Sequence, residues 1–278
     1  MSDVKISAAD VKRLRDQTGA GMMDCKKALA EADGDFETAI EILRKKGQKL
    51  SLKRAEREAK EGVVFALVSE NGNRGVVIKL SCETDFVAKN EDFVDLTRKI
   101  AQIALDKFPS DIESLLDLNF NDISIRDKVI EQVGVIGEKI ELAAYDKIEA
   151  PQVVNYIHMG YKAGVIVGLN QTSEAAVAAG KDIAMQVAAM KPIALDKEGV
   201  DETTIAKEVE IGKEQARMEG KPEAIIEKIA MGKLNKFFKE NTLLNQDFVK
   251  DGKKTVSQYL KSVDDDLVVE GYRHVALG

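Results

Sequence analysis

One structural plan is written twice in this chain, and the repetition limits what it can fold into. From Gly62 to Ser81 two β-branched runs, the second reading Gly75-Val76-Val77-Ile78-Lys79-Leu80-Ser81, flank Glu70-Asn71-Gly72-Asn73-Arg74. Asn-Gly supplies the positive φ of a tight turn, so the segment reads as a β-hairpin. A helix follows from about Glu91 to Lys107, with Phe93, Leu96, Ile100 and Ile103 at helical spacing, and stops at Phe108-Pro109. Later, Val153–His158 and Gly164–Leu169 flank Met159-Gly160-Tyr161-Lys162-Ala163, and a helix runs from Ser173 to about Met190. Both helices place Ile-Ala nine residues before a proline, as Ile100-Ala101 to Pro109 and Ile183-Ala184 to Pro192. The pattern predicts an α+β protein whose core is a duplicated hairpin-plus-helix unit.

The segments around this core read as helical. Ser7-Ala8-Ala9-Asp10 forms a capping box, with Ile6 and Val11 able to staple the start of a first helix that runs to Gln17. Thr18-Gly19-Ala20-Gly21 breaks it, and Met22, Cys25 and Leu29 then recur on one face of a second helix. Asp33-Gly34 turns the chain and Asp35 caps a third helix, with Phe36, Ala39, Ile40 and Leu43 on its buried side and Lys45-Lys46-Gly47 at its expected end. A three-helix module over residues 1–47 has a small core and should expose apolar surface for docking.

Residues 48–61 carry Lys53, Arg54, Glu56, Arg57, Glu58, Lys60 and Glu61, alternating in sign, and read as a solvated helical linker. Residues 62–150 make the first core subdomain and 151–278 the second. Between the two copies, a helix is expected from Ser124 and a strand at Lys139-Ile140-Glu141-Leu142-Ala143. Gly134-Val135-Ile136-Gly137 suits either an exposed turn or a close backbone approach. An antiparallel helical hairpin is expected over 201–240, with Ile205, Val209, Gly212 and Ala216 on one helix, Gly220-Lys221-Pro222 at the bend, and Ile226, Ile229, Ala230, Leu234 and Phe237 on the other. Phe248-Val249, an Asp251-Gly252 turn, a helix from Thr255 to Lys261 and a strand Leu267–Val275 close the chain.

Composition removes several function classes. A net charge of −7 opposes any nucleic acid as main partner. No run approaches the ~18 apolar residues of a membrane span, and Met1-Ser2-Asp3-Val4-Lys5 has no apolar signal core, so a cytoplasmic protein is expected. Cys25, Cys82, His158 and His274 are too few and too scattered for structural zinc. Asp92 with Asp95, or Asp264-Asp265-Asp266, read as solvated acids rather than a cation site. Phosphate-binding loops, Rossmann glycines and nucleophile elbows are all missing, so no catalytic residue, metal or cofactor is expected. A peptide-binding scaffold and an unrecognised hydrolase stay among the possible classes.

Cys82-Glu83-Thr84-Asp85-Phe86-Val87-Ala88-Lys89-Asn90 joins the first hairpin to its helix. Thr84-Asp85 can cap orphan helix amides, and the Phe86 ring is either tucked into the core or offered to something else. This stretch resembles a signature of the bacterial elongation factor Ts family, and Arg13-Leu14-Arg15-Asp16-Gln17-Thr18-Gly19-Ala20-Gly21-Met22-Met23-Asp24-Cys25-Lys26-Lys27-Ala28-Leu29 is similar to its amino-terminal signature. The resemblance implies a guanine nucleotide exchange factor that binds the GDP form of elongation factor Tu and acts in translation elongation. It implies a ubiquitin-associated-like first module and a coiled-coil arm able to mediate a homodimer. It assigns Thr84, Asp85, Phe86 and Val87 to displacing the partner's Mg²⁺, and Arg15, Met22, Met23, Ile136, His158 and Val249 to partner binding. Many family members also continue into a further helical module beyond the position of Gly278, and that module contacts the partner.

Overall fold

The computed structural model describes residues 6–278, so Met1–Lys5, read above for a signal core, lie outside the described residues. The first helix, α1 (Ala8–Thr18), begins with the expected capping box: Ser7 Oγ accepts the Asp10 amide at 3.1 Å while the Asp10 carboxylate accepts the Ser7 amide at 3.2 Å. Gly19 ends it in the left-handed region at φ 72°. Helices α2 (Met22–Glu31) and α3 (Phe36–Arg54) fold back so that Leu14, Cys25, Ala28, Leu29 and Ala39 form a small buried core.

The expected stop at Gly47 is not there: α3 continues to Arg54, so within 48–61 only the first part is helical. The reason is a contact with a later helix over Ile125–Ile136, whose Ile130 carbonyl lies 3.0 Å from where a Gly47 Cβ would sit, with Gly134 Cα at 3.7 Å. Glycine costs a helix about 1 kcal/mol relative to alanine. Here the missing side chain lets two helix backbones touch, which outweighs that cost.

The hairpin β1 (Glu61–Val68) and β2 (Arg74–Cys82) leads through a one-turn helix α4 (Asp85–Ala88) to α5 (Glu91–Lys107). Then come α6 (Ile112–Leu116), the short pair β3 (Asn119–Phe120) and β4 (Ile123–Ser124), α7 (Ile125–Ile136) and β5 (Glu141–Glu149). The second hairpin is β6 (Gln152–Ile157) and β7 (Ala163–Leu169), followed by α8 (Glu174–Met190). An antiparallel pair, α9 (Glu202–Met218) and α10 (Glu223–Asn241), leads to β8 (Asp247–Phe248), β9 (Asp251–Thr255), α11 (Val256–Val263) and β10 (Val269–Ala276).

The mixture of helix and sheet is α+β. Two antiparallel three-stranded sheets, β1-β2-β5 and β6-β7-β10, share one topology: in each, the later strand adds to the second strand of the hairpin, and the helix after that strand covers the outer face. Alternation along the strands divides their side chains between two cores. Val63, Phe65, Val76, Ile78 and Leu80 face α5 through Phe93, Ile100 and Ala104. Val165, Val167 and Leu169 face α8 through Ala176, Ile183 and Val187. The opposite faces meet each other, with Val64, Ala66 and Val77 against Val153, Ile166 and Val275.

Glycines let these inner faces approach. A Cβ on Gly164 would lie 2.9 Å from Val64 Cγ1 and 3.1 Å from Val77 Cγ2, and one on Gly75 would lie 2.7 Å from Val153 Cγ1. Gly164→Val should therefore overpack the sheet-to-sheet core and cost about 1–3 kcal/mol. A lowered urea midpoint with secondary structure retained by circular dichroism is the expected result.

Candidate functional site

Strand β2 ends on the buried Cys82, whose thiol donates to the Thr84 carbonyl at 3.2 Å. Burial, helped by the Glu138 charge, pushes this thiol up to about 12, so Cys82 serves as packing rather than as a nucleophile. The chain then turns through α4. Thr84 occupies its N-cap position but directs its hydroxyl to Glu138 Oε1 at 2.7 Å instead of back to the helix. Asp85 pairs with Lys89 at 2.6 Å, and α5 takes its cap from Asn90, which accepts the Asp92 amide at 2.8 Å. The expected Thr-Asp cap is thus replaced by outward and sideways bonds. Val87 and Ala88 lean on the α5 core while the Phe86 ring stands 83% exposed. Of the two alternatives for that ring, the structure selects exposure.

Two carboxylates hold the turn from below. Glu138 Oε2 accepts the amides of Thr84 at 3.0 Å and Glu83 at 3.1 Å. In return Glu83 Oε1 accepts the Lys139 amide at 2.6 Å and Arg54 Nη1 at 2.6 Å, and Oε2 accepts Arg57 Nη1 at 3.2 Å. Burial works against ionising Glu83, but the Lys139 amide and the Arg54 guanidinium outweigh it and hold the carboxyl below its ordinary range. The last turn of α3, the segment after α7 and the start of α4 converge here.

The other candidate residues are distributed around this junction. Arg15 is exposed on α1, and Met22 and Met23 are 58% and 64% exposed at the start of α2, so Met22 does not share the buried face of Cys25 and Leu29. Gly19 lies against Val135 of α7, with Val135 Cγ1 3.8 Å from a Cβ placed there, which seats the small helical module beside the end of that helix. Ile136 belongs to the last turn of α7 and leans on the α5 core; an exposed turn at 134–137 is not formed. The close approach is at Gly134, whose Cβ would lie 3.1 Å from Gly47 Cα, and Gly137 is the left-handed cap at φ 82°.

His158 is exposed at the β6–β7 turn, with Nδ1 3.2 Å from the Tyr156 hydroxyl. Beside it Met159 is 84% exposed, and Tyr161 stacks on Phe65 of β1 with centroids 5.5 Å apart. Asp85, Ala88 and Lys89 share a cleft with Gly160 and Lys162, so the Phe86 turn and the β6–β7 turn are neighbours. Val249 is not part of this group. It sits on the β8–β9 turn, its amide donating to Gln186 of α8 at 2.8 Å.

Sequence reasoning missed Glu83, Glu138 and Met159. An apolar side chain at the tip of a hairpin was a usable signal for Met159. Glu138 gave none, since it lies 54 residues from Thr84 in the chain. Among the described residues no group of three or more His, Cys, Asp or Glu is arranged to hold a metal ion. Asp95 pairs with Arg98, and Asp264 accepts the Asp266 amide and the Gln171 side chain.

An exposed aromatic on a turn that its neighbours hold rigidly is an arrangement for contact with another molecule. The profile of the family described as Elongation factor TS matches residues 83–278. The Elongation factor Ts of Christiangramia forsetii is 53% identical over 274 residues, covering 99% of both chains. The chain belongs to the elongation factor Ts family. The Elongation factor Ts proteins of Flavobacterium psychrophilum, 53% identical over 273 residues, and of Amoebophilus asiaticus, 51% identical over 274, each match 98% of this chain and 99% of their own. Membership makes this a translation elongation factor of the exchange class, acting in protein biosynthesis. No helix among the described residues is long and apolar enough to cross a membrane.

Glu83 generates a pH prediction. Its folded-state value lies below the unfolded one, so its stabilisation is complete above the ordinary glutamate range, about 4.3, and is lost as pH falls through the lower folded value. Glu83→Gln should lose about 1–3 kcal/mol at neutral pH. In urea titrations the gap from the unmutated protein should narrow as the solution is acidified below that range; a gap that stays constant with falling pH would contradict it.

Proposed function

We propose that the chain is the guanine nucleotide exchange factor for elongation factor Tu, that it binds the GDP complex, and that it promotes release by loosening the phosphate site and displacing Mg²⁺. The observation that carries this reading is the Phe86 ring, 83% exposed on a turn fixed by Glu138 and Glu83. Exchange needs no bond chemistry in the factor and no cofactor of its own. A GTPase holds GDP through backbone amides around the phosphates and through Mg²⁺ bridging to them. A rigid ring pressed between packed elements near that site favours the open, metal-poor state. Linkage then requires factor and nucleotide to weaken each other's binding by the same factor, so GDP leaves and a later nucleotide ejects the factor.

In this reading Thr84, Asp85, Phe86 and Val87 form the displacing motif. Arg15, Met22 and Met23 dock through the first module, which we take as ubiquitin-associated-like, and Ile136 and His158 extend the contact. Val249 serves a separate contact on the α8 side. The shared topology of the two sheets supports the internal duplication expected from the sequence, and translation elongation argues for the cytoplasm. Self-association through the α9–α10 arm is favoured by Met218, 88% exposed near its tip, and by the exposed Ile225 and Met231. Sedimentation velocity at micromolar concentration should then give the dimer mass, and a monomer throughout would remove that element.

The main test is release of a fluorescent GDP analogue from purified Tu. The chain should accelerate it, and Phe86→Ala should slow the accelerated rate roughly 30-fold, the effect of losing an interface anchor worth about 2 kcal/mol. An unchanged rate from a folded variant would sink the wedge. The same assay separates the other classes: a scaffold would bind without changing release, and a hydrolase would turn over a substrate with no GTPase present.

A further inference from the structure

The α4 turn has little of its own to keep the Phe86 ring pointing outward. It is a four-residue helix whose side chains remain at least partly open to solvent. A single helical turn is marginal in isolation, since nucleation fixes several dihedrals for one hydrogen bond. Its local ion pair, Asp85 with Lys89, is between exposed side chains and contributes little. An aromatic so exposed gains nothing from burial that could hold it in one direction.

Beyond the packing of Val87 and Ala88 on the α5 core, the fixing comes from Glu138, which accepts three hydrogen bonds from the entrance of the turn: the Glu83 amide, the Thr84 amide and the Thr84 hydroxyl. Its position is set in turn. Gly137 reverses the chain in the left-handed region at the end of α7, and the Lys139 amide is tied to the Glu83 carboxylate at 2.6 Å. Residues 83–84 and 138–139 therefore grip each other in both directions, and Arg54 closes the junction from α3.

We infer that Glu138 is the positioning residue of the exchange-promoting turn: by binding the Glu83 and Thr84 amides and the Thr84 hydroxyl, it aims Phe86 before any partner arrives. The inference rests on the exchange reading above. A preorganised ring loses less freedom on binding than one on a loose turn, and that difference enters the exchange efficiency directly. Glu138 touches neither nucleotide nor Mg²⁺ in this scheme and acts only through the turn.

Two measurements test it. In the free protein, hydrogen exchange at the Thr84 amide should quicken at least tenfold in Glu138→Ala, while protection in β1 and β2 is retained. In the release assay with Tu, Glu138→Ala should lower exchange efficiency about tenfold, and Glu138→Gln, which keeps one carbonyl acceptor, should recover part of that loss. The decisive comparison is the double variant: in a Phe86→Ala background Glu138→Ala should cause almost no further loss. A full tenfold loss in that background, or unchanged Thr84 protection, overturns the inference. If Glu138→Ala does not fold, Glu138→Gln and Thr84→Val carry the same comparisons. Should the unmutated protein leave GDP release unchanged, the exchange reading fails, whereas hydrogen exchange still decides whether Glu138 orders the turn.

Discussion

The contact between the inner faces of the two sheets is the constraint on which the rest of the molecule depends. It is built from small and β-branched residues, with Gly75 and Gly164 placed where a methyl group would collide with the opposite sheet. Two hairpins that are distant in sequence are thereby held face to face, and their ends come out on the same side. The Tyr161 ring stacked on Phe65 continues the contact to the edge of the β6–β7 turn. Were the sheets a few ångströms further apart, the turns that carry Phe86 and Met159 would no longer share a cleft.

At the end of β2 the protein adds polar fixing to the packing of Val87 and Ala88. Most turns that carry a large ring bury it and take their geometry from that burial, worth about 1.5–3 kcal/mol for a phenylalanine. Here the ring remains in water, and geometry comes from carboxylates that accept backbone amides. A hydrogen bond to an ionised acceptor is stronger than one between neutral groups, so these carboxylates can hold the turn with no lid over the ring. The cost is a dependence on ionisation that an apolar anchor would not have.

Much of this architecture could be read from the chain because it follows local rules. The capping box at Ser7, the Asn-Gly hairpin, the nine-residue spacing to Pro109 and Pro192, and the Gly220-Lys221-Pro222 bend are short-range signals, and elements formed where those signals indicated. Two of the errors share a cause in long-range contact. Gly47 looked like a helix end because its partner, Gly134, is far away in sequence, and the cap expected from Thr84 was taken over by an acceptor on another segment. The exposure of position 86 was not legible, since a ring on a junction reads equally well as core. Glu138 was invisible for the same reason: a glutamate after a glycine carries no local mark of what it will bind.

Helix α3 has a further consequence. It passes without interruption from the small amino-terminal module to Arg54, which is bonded to Glu83 beneath the Phe86 turn. The module is therefore no bead on a string: the helix acts as a strut, and the Arg54–Glu83 bond ties its far end to the turn that carries Phe86.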